Sequence, residues 1–467
     1  MRVSFAVVAL FAAILVLMPE SVSAHTSERA FVLLLPTGHY LIGGALAVAA
    51  SFAILAFVPA ALVERIVTAR VQLARLALPN ETWPSLLAFI LLLILVVAGF
   101  AGSRDPLANP LPLTVWTLWW VGVTLLHALL GNLWRWFNPW IGPFALARRI
   151  LKARDGWLPY PKRLDYWPAI LALLAFAWFE LVYPAPDDPA ILARAVIGYS
   201  LVTWAGMILF GAHAWLEKAE AFSVFFRFVA RLAPLGVEDG RLVLMFPGRR
   251  LADGAGLCGS GILFVLLALA TVSFDGLNRT FWWLGHAGIN PLEFPGRSAV
   301  IGLNSAGLIG SWLALAGLFL AAIRLGCRLE GAGRSALDIA GRLALSILPI
   351  SIGFQFAHYL TIFLVNGQYA SIALTDPFAL GWAHAHDRMH GVTTSFLANA
   401  HDVSVIWNLQ AAGIVLGHIL AVVVAHAATL RLVRARRQVL LLQIPLAALM
   451  VAYTVFGLWL LATPTAG

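Results

Sequence analysis

Charged side chains are scarce in this chain. Asp, Glu, Lys and Arg make up 11% of the 467 residues, against about 25% in an average soluble domain. Hydrophobic residues make up 61%, and they recur in runs of about 20, the length that crosses a bilayer as a helix. This composition excludes a water-soluble globule and predicts an all-α membrane protein surrounded by membrane lipids.

Cysteine is nearly absent as well. Cys258 and Cys327 are the only two, and both fall beside basic loops, so no disulfide framework is predicted. The sequence also lacks the Cys-x-x-Cys-His motif of c-type haem, a phosphate-binding glycine loop with its lysine, the His-Glu-x-x-His helix and the Gly-x-Ser-x-Gly elbow. Function driven by ATP is therefore not indicated.

The first 24 residues have the pattern of a signal peptide. Arg2 is followed by an apolar stretch at 3–18, and Val22, Ser23 and Ala24 offer small residues at a cleavage position. Cleavage there makes His25 the new N-terminus and leaves 25–467 as a single polytopic transmembrane domain. An uncleaved signal anchor is the alternative interpretation.

About ten transmembrane helices are predicted after the signal peptide. The apolar runs lie at 40–62, 85–101, 113–133, 167–183, 190–211, 261–274, 298–323, 343–365, 404–426 and 439–462. An amphipathic helix lying along the membrane interface is predicted near 221–228, where apolar and basic residues mix.

Lys and Arg are distributed unevenly between the two sets of loops. With a translocated N-terminus, 24 of the 31 fall in loops on the cytoplasmic side and six in segments on the outer side. This asymmetry follows the positive-inside rule and places both mature termini outside. It also explains the net charge of +9 by topology, so nucleic acid is not predicted as a partner.

Several polar residues interrupt the apolar runs, and each is a functional candidate because polar groups are costly in hydrocarbon. Glu180, Gln355, Gln410 and His418 are predicted to form a polar cluster within the membrane. His358 is predicted to lie about 10 Å deep, seven residues from the outer end of its helix, with Gln355 and Gln410 able to satisfy its ring.

A second group of histidines lies between the eighth and ninth runs. His384, His386 and His390 fall within seven residues, and imidazole with carboxylate suits a divalent transition metal such as Zn or Cu. His25 and His358 are further metal-ligand candidates, with Asp275 or Asp376 as a base. The alternative is a solvated loop that binds metal only adventitiously.

Haem is a less favoured cofactor. His127 and His418 are predicted at similar depth on different helices, which would allow them to ligate a haem between them. The simpler interpretation is that each histidine hydrogen-bonds a neighbouring helix.

Short stretches spread over the chain carry a resemblance to a known family. They are Ser23-Ala24-His25, Leu35-Pro36-Thr37, Gly131-Asn132-Leu133-Trp134-Arg135-Trp136, Glu180-Leu181-Val182-Tyr183-Pro184, Ser273-Phe274-Asp275-Gly276, Ala357-His358-Tyr359-Leu360-Thr361 and Gly417-His418. In these stretches the chain resembles the polytopic bacterial membrane proteins known as fenitrothion hydrolases. The histidines at 384–390 lie outside the resemblance.

The predicted location is the bacterial inner membrane, with both mature termini in the periplasm, as the Lys and Arg distribution indicates. The resemblance implies hydrolysis of an organophosphate ester such as an apolar triester. A metal held by histidines would lower the pKa of bound water to about 7 and supply the attacking hydroxide. His25, Asp275 and His358 are favoured for this site because they lie in matched segments. The rival interpretation is a transporter or a metal- or haem-handling protein without hydrolytic activity, since ionisable groups at several depths also suit a transport path.

Overall fold

The computed structural model describes residues 37–75, 80–254, 256–381, 391–433 and 435–466. The helices are α1 Thr37–Phe57, α2 Ala60–Val67, α3 Thr82–Ala101, α4 Pro110–Leu130, α5 Trp134–Phe137, α6 Ile141–Leu151, α7 Trp167–Leu181, α8 Pro189–Phe210, α9 Ala212–Lys218, α10 Ala221–Val229, α11 Arg249–Ala252, α12 Gly259–Leu277, α13 Phe281–His286, α14 Ile301–Glu330, α15 Ala336–Leu343, α16 Leu348–Thr375, α17 Ala400–Leu432 and α18 Arg436–Ala462. The strands are β1 Arg70–Arg75, β2 Leu235–Glu238 and β3 Arg241–Met245.

The protein is a mostly helical, multi-pass membrane protein. Among the described residues, nine helical segments are long and apolar enough to cross a membrane: α1, α3, α4, α8, α12, α14, α16, α17 and α18. Large apolar side chains point outward from them, as at Leu46, Leu91, Leu201 and Leu313, which is the surface that acyl chains cover. The predicted segment at 167–183 is the shorter helix α7, with 15 residues.

The two ends of the bundle are defined by contacts between helix ends. At one end, Phe281 N–H donates to Pro464 O at 3.0 Å and Ala466 N–H to Arg279 O at 2.8 Å, which joins the end of α12 to the end of α18. At the other end, Arg431 of α17 forms ion pairs with Glu64 and Asp253. We call the first end the site face and the second the opposite face.

Two helices are longer than their apolar runs predicted. Helix α16 continues to Thr375 and α17 begins at Ala400, so each has additional turns beyond the runs predicted at 343–365 and 404–426. His358 is therefore 17 residues from the end of its helix, about 26 Å along the axis, and not seven. The end of this helix was predicted too early because polar residues such as Asn366 and Gln368 lie in the helical extension.

The chain is not purely α-helical. Three short strands form an antiparallel sheet in the order β1, β3, β2, with Arg70 opposite Met245 and Glu238 opposite Arg241. The sheet joins the segment after α2 to the segment after α10. Sequence periodicity did not single these strands out, because each has only four to six residues.

Helix α10 lies within the protein and not along its surface. Phe222, Phe225, Phe226 and Phe228 are all buried, so the interfacial helix predicted at 221–228 is a packed helix beneath the bundle. Glu220 caps it by accepting hydrogen bonds from the N–H groups of residues 222 and 223 at 2.9 and 2.7 Å. Burial raises the pKa of this carboxyl group.

Candidate functional site

Four ionisable side chains from three helices meet near the site face. Asp275 Oδ2 lies 2.9 Å from His358 Nε2 and 2.5 Å from the Tyr359 hydroxyl oxygen. The same hydroxyl oxygen lies 2.9 Å from Glu180 Oε1. We call Glu180, Asp275, His358 and Tyr359 the carboxylate–histidine cluster.

Helix ends supply the carboxyl groups of this cluster. Asp275 lies in the last turn of α12 and Glu180 in the last turn of α7, where polar side chains leave the hydrocarbon. Helix α16 runs past both ends, so its consecutive residues His358 and Tyr359 reach the same Asp275 oxygen from two sides. Gln410 of α17 donates to Ala357 O at 2.7 Å and holds α16 at this level.

Among the described residues, the His358 ring has one hydrogen-bonded nitrogen. Its Nε2–H donates to Asp275, which leaves Nδ1 as the basic nitrogen, and the side chain is 33% exposed. A Cβ added at Gly276 would stand 3.9 Å from Nδ1. An imidazole oriented by a carboxylate, with its second nitrogen open, has the geometry of a general base.

Two arginines place positive charge beside the cluster. Arg297 donates from Nη1 to Glu180 O at 2.7 Å and to Tyr183 O at 3.4 Å. Arg279 follows α12, and its field acts on both Asp275 and His358. The site therefore combines a base with nearby positive charge, which is the kind of charge that stabilises a negatively charged transition state.

The glutamines predicted beside His358 bond elsewhere. Gln355 Nε2 donates to Trp120 O at 3.3 Å in the part of α4 at Leu113–Val123 that is wound as a π-helix, and Gln410 bonds Ala357 O. His358 does lie in a polar cluster, but Asp275 is its partner. Of the four residues of the predicted polar cluster, only Glu180 belongs to the observed one.

Asp376, the other residue predicted as a base, lies apart from the carboxylate–histidine cluster. It follows the last residue of α16, 3% exposed, and its carboxylate accepts from Leu380 N–H at 2.8 Å and Gly381 N–H at 2.9 Å. A distance of about 26 Å along the helix separates this end from His358. The other metal-ligand candidates, His25, His384, His386 and His390, lie outside the described residues.

The described residues do not themselves supply a metal site. Within them, no group of three or more His, Cys, Asp or Glu side chains could hold a metal ion. In the cluster, the carboxylate oxygen nearest to His358 already accepts two hydrogen bonds.

A haem between His127 and His418 does not fit this arrangement. His127 Nδ1–H donates to Val123 O at 2.7 Å, its Nε2 accepts from Trp134 N–H at 2.8 Å, and the ring stacks on Phe226. No ring nitrogen is left to ligate iron. His418 is fully buried, with Nδ1 bonded to Ile414 O at 2.8 Å.

Tyr359 is the member of the cluster that our sequence analysis did not single out. It appeared only within the stretch that resembles the hydrolase family, and the signal for it was its hydroxyl group in an apolar helix beside a histidine. Arg279 and Arg297 were counted only as charges on one face, because their approach to the cluster depends on tertiary structure.

Comparisons of the chain with models of protein families, with curated proteins and with solved structures find no match.

Proposed function

We propose that the protein is a membrane-embedded hydrolase of apolar organophosphate esters, with His358 as the general base. The observation that carries the proposal is the 2.9 Å hydrogen bond between His358 Nε2 and Asp275 Oδ2, because it directs the basic Nδ1 away from the carboxylate. The resemblance to fenitrothion hydrolases supplies the substrate class, a phosphotriester.

Each residue then has a definite part in the reaction. His358 Nδ1 takes a proton from a water molecule, whose oxygen forms the new bond to phosphorus as the bond to the leaving aryloxide breaks. Asp275 stabilises the imidazolium and fixes its tautomer. The proton on Nδ1 then passes to the aryloxide, so the products are a phosphodiester and a phenol.

Positive charge near the base supports the same reaction. Negative charge grows on the phosphoryl or thiophosphoryl atom as water attacks, and preorganised donors lower the energy of that state. Arg279 and Arg297 are the candidates for this role, because both interact electrostatically with Asp275. An apolar triester would reach the partly exposed His358 from the bilayer, at the outer side of the bacterial inner membrane.

Metal assistance remains a second form of the proposal. A divalent metal would supply a hydroxide at neutral pH, but its ligands would have to include residues such as His25, His384, His386 or His390. The scheme through His358 and Asp275 uses only groups whose contacts are described.

Hydrolysis of an aryl phosphotriester by the purified protein tests the proposal. His358→Gln and Asp275→Asn should each lower kcat/KM about 10²–10⁴-fold, the range for loss of general base catalysis. His401→Gln, at the exposed start of α17, is the matched control and should retain activity. Wild-type activity that survives in His358→Gln would contradict the proposed base.

A chelator separates the two forms of the scheme. Activity that is insensitive to a chelator supports the His358–Asp275 base alone, whereas loss of activity with recovery on adding Zn or Cu supports metal assistance. Absence of hydrolysis under both conditions would contradict the hydrolase proposal.

One observation favours a transporter as the second candidate. Glu180, Tyr359, Asp275 and His358 form a continuous hydrogen-bonded series between helices, an arrangement typical of the proton relays of pumps and transporters. Proton movement into liposomes that contain the protein, dependent on an added solute and lost in Asp275→Asn, would support transport.

A further inference from the structure

The Tyr359 hydroxyl group lies between two carboxyl groups. Its oxygen is 2.5 Å from Asp275 Oδ2 and 2.9 Å from Glu180 Oε1, and both separations are hydrogen-bond distances. A tyrosine hydroxyl group has one proton to donate and can also accept. It can therefore donate to only one of these two oxygens.

The second contact requires another proton. Asp275 Oδ2 also accepts from His358 Nε2–H, and two charge-assisted donors suit an ionised Asp275. With the Tyr359 proton directed to Asp275, the contact with Glu180 is a hydrogen bond only if Glu180 Oε1 carries a proton and donates it to the Tyr359 oxygen.

The other oxygen of Glu180 supports the same assignment. Glu180 Oε2 is buried and has no hydrogen-bond partner among the described residues. An ionised carboxylate with such an oxygen would be strongly destabilised, whereas the carbonyl oxygen of a neutral acid is less affected. Arg297, the nearby cation, donates to Glu180 O of the main chain and not to the carboxyl group.

The surrounding charges do not reverse this conclusion. Asp275 on α12 and Asp187 after α7 place negative charge near Glu180, against the positive charge of Arg297 before α14. Two carboxylates that share one hydroxyl group repel each other, and a shared proton removes that repulsion.

We propose that Glu180 carries a proton at neutral pH and that Tyr359 passes this proton to Asp275. In the transfer, the Glu180 O–H bond breaks as a bond to the Tyr359 oxygen forms, and the Tyr359 O–H bond breaks as a bond to Asp275 Oδ2 forms. Glu180 becomes the carboxylate, Asp275 becomes the neutral acid, and Tyr359 is unchanged.

This transfer would control the basicity of His358, a role that rests on the proposed hydrolase. While the proton is on Glu180, the ionised Asp275 stabilises the imidazolium that forms when water is deprotonated. Once the proton reaches Asp275, that support is lost, and His358 releases its Nδ1 proton to the leaving group. Glu180 and Tyr359 are positioning residues in this scheme, since neither contacts the substrate.

Infrared spectroscopy of the full-length protein in detergent tests the protonation without any substrate. At neutral pH, we expect a carboxylic acid C=O band that shifts in D2O and is lost in Glu180→Gln. The amide of this variant can still donate to Tyr359, so the fold should persist. Asp187→Asn, on the same face, is the control and should keep the band.

Tyr359→Phe provides an independent readout, also if Glu180→Gln does not fold. Removal of the hydroxyl group should keep the Glu180 band and move it to higher frequency, since the acid loses its acceptor. A carboxylic acid region identical in wild type and Glu180→Gln, or a band lost in Asp275→Asn instead, would overturn the assignment. An unshifted band in Tyr359→Phe would do the same.

The pH profile of hydrolysis then tests the role. Glu180→Gln should remove one ionisation from the profile of kcat while the thermal stability stays near that of wild type. If the wild-type protein shows the Glu180 carboxylic acid band but does not hydrolyse the triester, the proposed function is overturned and the protonation of Glu180 still holds. Hydrolysis by a protein that lacks the band would overturn the protonation alone.

Discussion

Gly353 and Gly413 bring helices α16 and α17 into main-chain contact. A Cβ added at Gly353 would stand 2.6 Å from Gly413 O, closer than any packed side chain can approach. Helices pack this closely where small residues line the interface, as is common inside membranes. The crossing lies just over one turn from His358, so it determines where the proposed base stands relative to Asp275.

Gly353→Ala should therefore force the two helices apart. We expect a loss of about 1–3 kcal/mol, the usual range for overpacking, measured by unfolding in detergent. Gly367→Ala in the same helix is the matched control, since nothing lies within 4 Å of its added Cβ. It should be neutral, or stabilising by up to about 1 kcal/mol from helix propensity. Equal effects of the two substitutions would contradict the close crossing.

Gly276 offers a way to cover the His358 nitrogen without touching the cluster. Its added Cβ would meet Leu460 Cδ1 at 3.4 Å and His358 Nδ1 at 3.9 Å, ordinary contact distances. Gly276→Ala should therefore be tolerated, whereas the larger side chain of Gly276→Val should obstruct Nδ1. We expect phosphotriester kcat/KM to fall about 10-fold or more in the valine variant, the scale at which misplacement affects catalysis. Unchanged activity in Gly276→Val would indicate that water does not approach Nδ1.

Asp165 should make stability depend on pH at the opposite face. Burial raises its pKa, but hydrogen bonds from Cys258, Lys218 and Ser260 outweigh that effect and hold the pKa below its ordinary value. The carboxylate accepts from Lys218 Nζ at 2.6 Å. Because the pKa is lower in the folded state, the stabilisation is present above the unfolded pKa near 4 and is lost as pH falls through the folded pKa.

Asp165→Asn should remove this acid-side loss. At neutral pH its cost should be no more than about 1 kcal/mol, because the pair is partly exposed and screened by solvent. Melting temperatures measured in detergent over a range of pH give both the acid-side loss of stability and the cost of the substitution at neutral pH. Asp338→Asn, which removes an exposed partner of Arg342, is the control. If the melting temperature of Asp165→Asn still falls at low pH as it does in wild type, another group causes the acid-side loss of stability.

We expect His127 to have a structural role and not to bind haem. It connects the end of α4 to the turn before α5 through two hydrogen bonds, so His127→Ala leaves Val123 O and Trp134 N–H without that partner. We expect destabilisation of about 1–3 kcal/mol and no change in visible absorption. His213→Ala, at a side chain 89% exposed, should have little effect on stability. A haem absorption band lost in His127→Ala would contradict this role.

Reporter fusions test the orientation predicted from Lys and Arg. Gly240, in the open turn between β2 and β3, lies at the opposite face, and Gly391 lies between α16 and α17 at the site face. A cytoplasmic reporter should be active at Gly240 and a periplasmic reporter at Gly391. Activity of the same reporter at both positions would exclude an odd number of spans between them.

Sequence patterns predicted the helical segments well because hydrocarbon thickness is a strong and local constraint. Asp275, Glu180 and His358 also stood out, since ionisable groups in apolar runs have few structural explanations. Their pairing could not be predicted, because it depends on how α7, α12 and α16 pack. Gln355 and Gln410 shared a predicted depth with His358, but neighbouring carbonyl oxygens proved to be their partners.

The burial of helix α10 affects whether a molecule can cross the membrane through the protein. Phe222 and Phe226 pack edge-on against Trp119, with ring centroids 4.5 and 5.6 Å apart, and Phe222 also meets Phe176 at 5.0 Å. This layer of packed aromatic side chains fills the interior of the bundle beneath the cluster, on the side away from the site face. Under the proposed hydrolase scheme, a substrate would enter and leave on one side of the membrane, and its reaction would not contribute to exchange between compartments.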